Sequence, residues 1–231
     1  MASTQEEIIY QLVQQYMQAS EQITAAESEP LPRGGVVPTT EPIRLSTGVS
    51  NRHIHLDRRD LDELFGEGYE LTEHQPLSQA GMFAAQETVI LAGPKGALTG
   101  VRVLGPLRGN TQIEISFSDA RHLGVVPPVM QSGQTGKTPE LTIVGPKGTV
   151  TNNNAVMVAW RHAHMEVDRA AAWGLKDGDI VKARTSGDRS IVFENVVVRT
   201  GKGWVNEFHI DTDEGNTANI RTGDIVEIVR C

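Results

Sequence analysis

The chain has 231 residues, 39% of them hydrophobic and 22% charged, with a formal net charge of −8. That length allows one large domain or two smaller ones, and the acidic balance argues against general nucleic-acid binding. The only cysteine is Cys231, so no disulfide framework exists and any metal must be held by histidines and carboxylates.

Scarce aromatics, with 23 glycines and 11 prolines, favour short strands and tight turns over a helical bundle. No apolar run reaches the ~20 residues of a membrane-spanning helix. The N-terminus has acidic residues where a signal peptide is basic, so the chain reads as soluble and cytoplasmic.

Residues 1–22 form the first predicted element. Ser3 or Thr4 can cap a helix there, and Ile8, Ile9, Leu12, Val13, Tyr16 and Met17 recur as one apolar stripe. The stripe lacks the lysines and arginines of a helix that binds anionic lipid. Residues 23–42 follow as a linker dense in Pro, Gly, Thr and Glu. So short a helix on a tether needs cover for its apolar face. It either packs on its own domain or a second subunit, or docks on another protein.

From Ile43 onward the chain repeats itself loosely. RHIHLDRRDLDELFGEGYEL (52–71) matches RHAHMEVDRAAAWGLKDGDIV (161–181) in character, each with two histidines and then a short acid-rich helix. Gly66 and Gly174 suit the helix ends. Gly-Pro-Lys-Gly occurs at 93–96 and 145–148, each after an apolar strand, and reads as a structural turn rather than a phosphate loop around Lys95 or Lys147. Many strand-length runs with few helices argue for barrels or sandwiches, and the repeat argues for two of them, 43–135 and 136–231.

In a strand, residues two apart project to one face. His53 and His55 can therefore chelate one ion, as can His162 and His164, and imidazole suits zinc. Each pair needs further ligands. His209 and Glu114, both in strand-like runs, are the candidates, and spacing does not assign them to an ion. His74 and His122 share no such pattern and read as structural. Arg108, between Gly105-Pro-Leu and Gly109, is either a surface-turn arginine or, if near the metal ions, a planar fork that would bind phosphate. No Gly-x-Ser-x-Gly elbow occurs, which favours metal-directed chemistry over a covalent nucleophile.

VSNRHIHLDRRDLDELFGEGYELT, PLSQAGMFAAQETV, GVRVLGPLRGNTQIEIS, PPVMQSGQTGKTPELTIVGPKG and WRHAHM together resemble the PduL-type phosphotransacylases, the phosphate propanoyltransferases. The resemblance spans about Arg44 to Cys231. It implies two pseudo-symmetric β-barrel domains capped by short helices, with two Zn2+ ions between them. His53, His55 and Glu114 would hold one ion, and His162, His164 and His209 the other. Arg108 would bind phosphate. Ser50, Arg102, Leu104 and Asn216 match positions lining the coenzyme A pocket. Gln75 stands at a further matching position, where a lysine would suit the coenzyme's phosphates better.

The implied reaction is acyl-CoA plus phosphate giving acyl phosphate plus CoA, with propanoyl-CoA, or acetyl-CoA, as donor. The resemblance also implies a homodimer housed in a bacterial microcompartment. Residues 3–19 would dock there on shell or core proteins, with an aldehyde dehydrogenase and an acyl kinase as pathway neighbours. The rival readings are a two-zinc hydrolase and a non-catalytic zinc-stabilised assembly module.

Overall fold

A computed structural model describes residues 42–134 and 136–230. The expected helix at 1–22 and the linker as far as residue 41 lie outside the described residues. In chain order, β1 (Ile43–Ser50) leads to β2 (His53–His55), helix α1 (Arg58–Phe65), β3 (Glu73–Pro76), β4 (Phe83–Ala92), β5 (Ala97–Gly105) and β6 (Gln112–Glu114). After α2 (Phe117–Leu123) come β7 (Val129–Met130), β8 (Leu141–Val144), β9 (Thr149–Asn152) and β10 (Val156–Ala159). The remainder is β11 (His162–Glu166), α3 (Val167–Ala172), β12 (Ile180–Arg184), β13 (Val192–Gly201), β14 (Glu207–Asp211), α4 (Thr212–Ala218) and β15 (Ile225–Arg230).

Six strands close into a barrel in the order β1-β14-β11-β13-β12-β15. The other nine make one curled sheet, β7-β10-β6-β2-β5-β4-β8-β9, with β3 also paired to β4. The fold is mainly β with short helices, as expected, with one barrel closed and its counterpart an open half-barrel. Neither sheet divides at residue 135. β1 crosses to the later strands, parallel to β14 and antiparallel to β15, while β8, β9 and β10 return to the earlier sheet. Each half thus lends strands to the other, a pairing between distant segments that local patterns do not encode.

Strand alternation decides where the polar face lies. Ile54, between His53 and His55, is fully buried in the core of the curled sheet with Leu56, Val103 and Ile113. Ala163, between His162 and His164, is fully buried in the barrel core with Met165, Val198 and Phe208. Burying a side chain such as Phe208 contributes roughly 1.5–3 kcal/mol, which fixes the register and turns the residues on either side to the opposite face. The histidines face away from the two cores because their neighbours are held in them.

The Gly-Pro-Lys-Gly turns are structural. Lys95 N–H donates to the carbonyl of Leu123 at 3.0 Å, and Lys147 N–H to that of Leu64 at 3.0 Å. Each hairpin thereby satisfies a carbonyl left over at the end of α2 or α1. A Cβ on Gly93 or Gly145 would lie 2.4 Å from that same oxygen, so only glycine lets the turn close on the helix.

The arginine of each Arg-His-x-His also has a structural place. Arg52 pairs with Asp119 at 2.7 Å and Arg161 with Glu214 at 2.6 Å. Both carboxylates sit at the third position of a capping box, opened by Ser116 on α2 and Asp211 on α4. Among the described residues, no helix is long and apolar enough to cross a membrane.

Candidate active site

The two His-x-His strands meet their partners in one shared register. In the curled sheet, antiparallel pairing sets His53 opposite Glu114 and His55 opposite Gln112. In the barrel it sets His162 opposite His209 and His164 opposite Glu207. Two compact donor sets result. His53, His55 and Glu114 bring one ligand atom each to within 4.8 Å of the others, and so do His162, His164 and His209. The six residues singled out from the sequence thus form two triads, divided as the resemblance implies.

Hydrogen bonds fix the ring nitrogens alike in both sets. Nδ1 of His53 lies 2.8 Å from the carbonyl of Asn51, and Nδ1 of His162 lies 2.8 Å from that of Trp160. These carbonyls accept from Nδ1–H, leaving Nε2 with its lone pair. His55 and His164 reverse the pattern, for their Nδ1 atoms are buried without a hydrogen-bond partner. His55 instead bonds the carbonyl of Leu104. Leaving a buried nitrogen unpaired costs about 1–3 kcal/mol, a cost that a cation ligated there would offset.

Protonation favours the same reading. Burial, reinforced by the neighbouring imidazole His53 and by Arg108, lowers His55 to about 3. Burial and His209 lower His162 to about 4, and burial, His209 and His162 lower His164 to about 2. These rings are neutral at pH 7, as metal ligands must be. Burial opposes charge on Glu114, yet His53, His55 and Ser132 hold its carboxyl well below the usual range. Burial likewise opposes charge on His53, and the Glu114 carboxylate outweighs it and raises His53. Nε2 of His53 stands 3.4 Å from Oε2 of Glu114, close enough for one cation to be held by both. The donor types fit zinc or a similar first-row ion, with three candidate ligands in each set.

A cleft lies between the triads, with Ser50, His53, Glu114, Trp160, His162 and His209 in its wall. Arg108 borders a neighbouring cleft that it shares with Gln112 and Gly133. Its Nη1 donates to Ser132 Oγ at 3.1 Å, and Gln112 Nε2 donates to the same oxygen at 2.8 Å and to Oε1 of Glu114. A polar relay thus joins the guanidinium to the first triad. Burial lowers the pKa of Arg108, with Glu114 opposing and Arg199 adding to the effect.

Arg199 is a site residue that the sequence did not disclose. It lies on β13 beside His164 and is close enough to lower His162, His164 and Arg108. Its guanidinium stands 6.0 Å from the Trp204 ring, which in turn packs on His164 with centroids 4.6 Å apart. Of the remaining expected residues, Ser50 is in the cleft. Arg102 donates from Nη1 to the carbonyls of Ala85 and Gln86 at 2.9 and 2.8 Å, so that nitrogen is committed to the backbone. Leu104 lies on β5 and Gln75 on the exposed β3, while Asn216 is exposed on α4, and none of these three lines the cleft.

A sequence model of the phosphate propanoyltransferases matches residues 46–221. The chain belongs to this family. A phosphate propanoyltransferase of Thermotoga maritima is 53% identical over 183 residues, covering 79% of this chain and 87% of that protein. One from Rhodopseudomonas palustris is 47% identical over 205 residues, covering 86% and 91% respectively. The chain is therefore an acyltransferase of the phosphate propanoyltransferase family, and its twin triads and Arg108 fall within the matched span.

Proposed function

We propose that the enzyme interconverts propanoyl-CoA and phosphate with propanoyl phosphate and coenzyme A at a two-zinc centre, with acetyl-CoA as the alternative donor. The observation that carries the reading is the relay from Arg108 through Ser132 and Gln112 to Glu114, which ties an anion-binding guanidinium to a ligand set. Bound zinc would supply Lewis acidity toward a thioester carbonyl and phosphate oxygens.

The chain's own residues do the rest. Arg108 presents a rigid fork to two phosphate oxygens, and Arg199 adds a second positive charge nearby. Held this way, phosphate loses part of its hydration and one free oxygen is aimed at the carbonyl carbon. A C–O bond forms, the carbonyl pair returns, and the C–S bond breaks to release coenzyme A thiolate. Thiolate leaves without a proton from the enzyme. The reading needs no acyl-enzyme, since phosphate itself is the nucleophile that takes the acyl group.

Free thiol released from propanoyl-CoA, with and without inorganic phosphate, tests the proposal. Release by the zinc-loaded enzyme should require phosphate. Equal release without it would make water the nucleophile and the protein a hydrolase. No release from any acyl-CoA would leave a zinc-stabilised assembly module.

The setting is part of the same proposal. Residues 3–19, with their apolar stripe on a Pro- and Gly-rich tether, suit docking on shell or core proteins of a bacterial microcompartment. A homodimer housed there would stand between an aldehyde dehydrogenase that forms acyl-CoA and an acyl kinase that consumes acyl phosphate. Deleting residues 1–20 should leave activity in solution unchanged and abolish co-purification with compartments. Loss of folding on that deletion would mean that the helix packs on its own domain instead.

A further inference from the structure

The residue two positions before the third ligand repeats between the two sites, and its chemistry inverts. In the curled sheet that residue is Gln112, before Glu114. In the barrel it is Glu207, before His209. Each occupies the same register position, opposite the second histidine of its pair, His55 or His164. Each is buried and bonded to a serine from a distant loop. Gln112 Nε2 donates to Ser132 Oγ at 2.8 Å, while Ser78 Oγ donates to Glu207 Oε2 at 2.5 Å.

The polarity follows the ligand. Glu114 is an acceptor, and its companion Gln112 gives it an N–H. A neutral imidazole such as a ligating His209 has one ring N–H to donate, and the companion of His209 is a carboxylate. Oε2 of Glu207 stands 2.8 Å from Nε2 of His209. Glycine makes this approach feasible. A Cβ on Gly48 of β1 would come 3.2 Å from the Glu207 carboxyl carbon and 3.3 Å from Cε1 of His209.

We propose that Glu207 is a positioning residue for His209, holding Nε2 as N–H so that Nδ1 offers its lone pair to the metal, with Ser78 fixing the carboxylate. Carboxylates that orient a ligating histidine are worth about 10–100-fold in metal affinity. Ser78 arrives from the β3–β4 loop of the curled sheet, and Gln79 beside it exchanges two hydrogen bonds with the backbone of Val205, at 3.1 and 3.2 Å. Docking of that loop on the barrel therefore also sets the geometry of the second triad. The inference rests on the proposed metal centre and goes beyond it.

The test is chelator competition on the zinc-loaded full chain, read as zinc released per chain, which is independent of activity. Wild type should hold two ions. Glu207→Ala should hold one of them about 10–100-fold more weakly and leave the other unchanged. Glu207→Gln, which keeps an acceptor of the same size, should fall between the two. Gln112→Ala should weaken only the ion that Glu207→Ala spares. Wild-type affinity at both sites in Glu207→Ala, or equal loss at both, would overturn the inference. Should the alanine variant fail to fold, wild-type affinity at both sites in Glu207→Gln together with Ser78→Ala would overturn it equally. A wild-type protein that takes up no zinc would instead overturn the metal centre itself.

Discussion

Replacing His164 with alanine should remove one of two zinc equivalents and lower phosphate-dependent thiol release by about 10²–10³-fold, with the barrel still folded. The size follows from what a bound metal contributes, several kcal/mol of charge stabilisation, at 1.36 kcal/mol for each factor of ten. The selectivity follows from the strand. Ala163 and Met165 carry the core packing of β11, while the His164 ring lies on the opposite face, against Trp204 and His209. Truncating it also removes the partnerless Nδ1, so the metal-free fold should lose little stability. His55→Ala makes the matching deletion in the other triad. Metal content by elemental analysis, thermal unfolding and initial rate together check the expectation. Full activity with one ion per chain would reduce that triad to a structural element.

Much of this site was legible in the sequence, because a His-x-His pair on a strand is a local pattern with one geometric outcome. The duplication made the pattern specific, and the apolar residue inside each pair, Ile54 or Ala163, marks the buried face. What escaped was non-local. Nothing in IVFENVVVRT sets Arg199 apart as a site residue, since its place depends on the parallel pairing of β13 with β11. Glu207 sits in the same WVNEFHI run as His209, yet only the crossing of Ser78 from the other sheet and the glycine at 48 give it a role. Helices α2 and α4 follow no His-x-His pair, the motif that announces α1 and α3, although the pairs Ser116/Asp119 and Asp211/Glu214 mark their starts as capping boxes. The exchange of β1 for β8, β9 and β10 between the sheets has no local mark at all.

Arg108→Ala should raise the phosphate concentration needed for half-maximal rate and lower kcat/KM for phosphate by about 10–150-fold, while zinc content stays at the wild-type value. Hydrogen bonds to a charged group are worth about 1.5–3 kcal/mol, and the substitution leaves one face of the phosphate without its fork. Zinc should be retained because Arg108 bonds Ser132 rather than a ligand, and Gln112 holds Ser132 and Glu114 from the other side. Losing the cation also removes one of the influences that lower His55, but burial remains the larger one, so that ring stays neutral at pH 7. Arg199 keeps part of the positive field, which sets a floor under the loss. Arg108→Lys separates charge from geometry. It restores the charge without the planar fork, so recovery of KM without recovery of kcat would assign Arg108 to collecting phosphate, and failure of both would assign it to aiming the attacking oxygen. Saturation of Arg108→Ala at the wild-type phosphate concentration would remove the residue from phosphate binding and shift that role to Arg199.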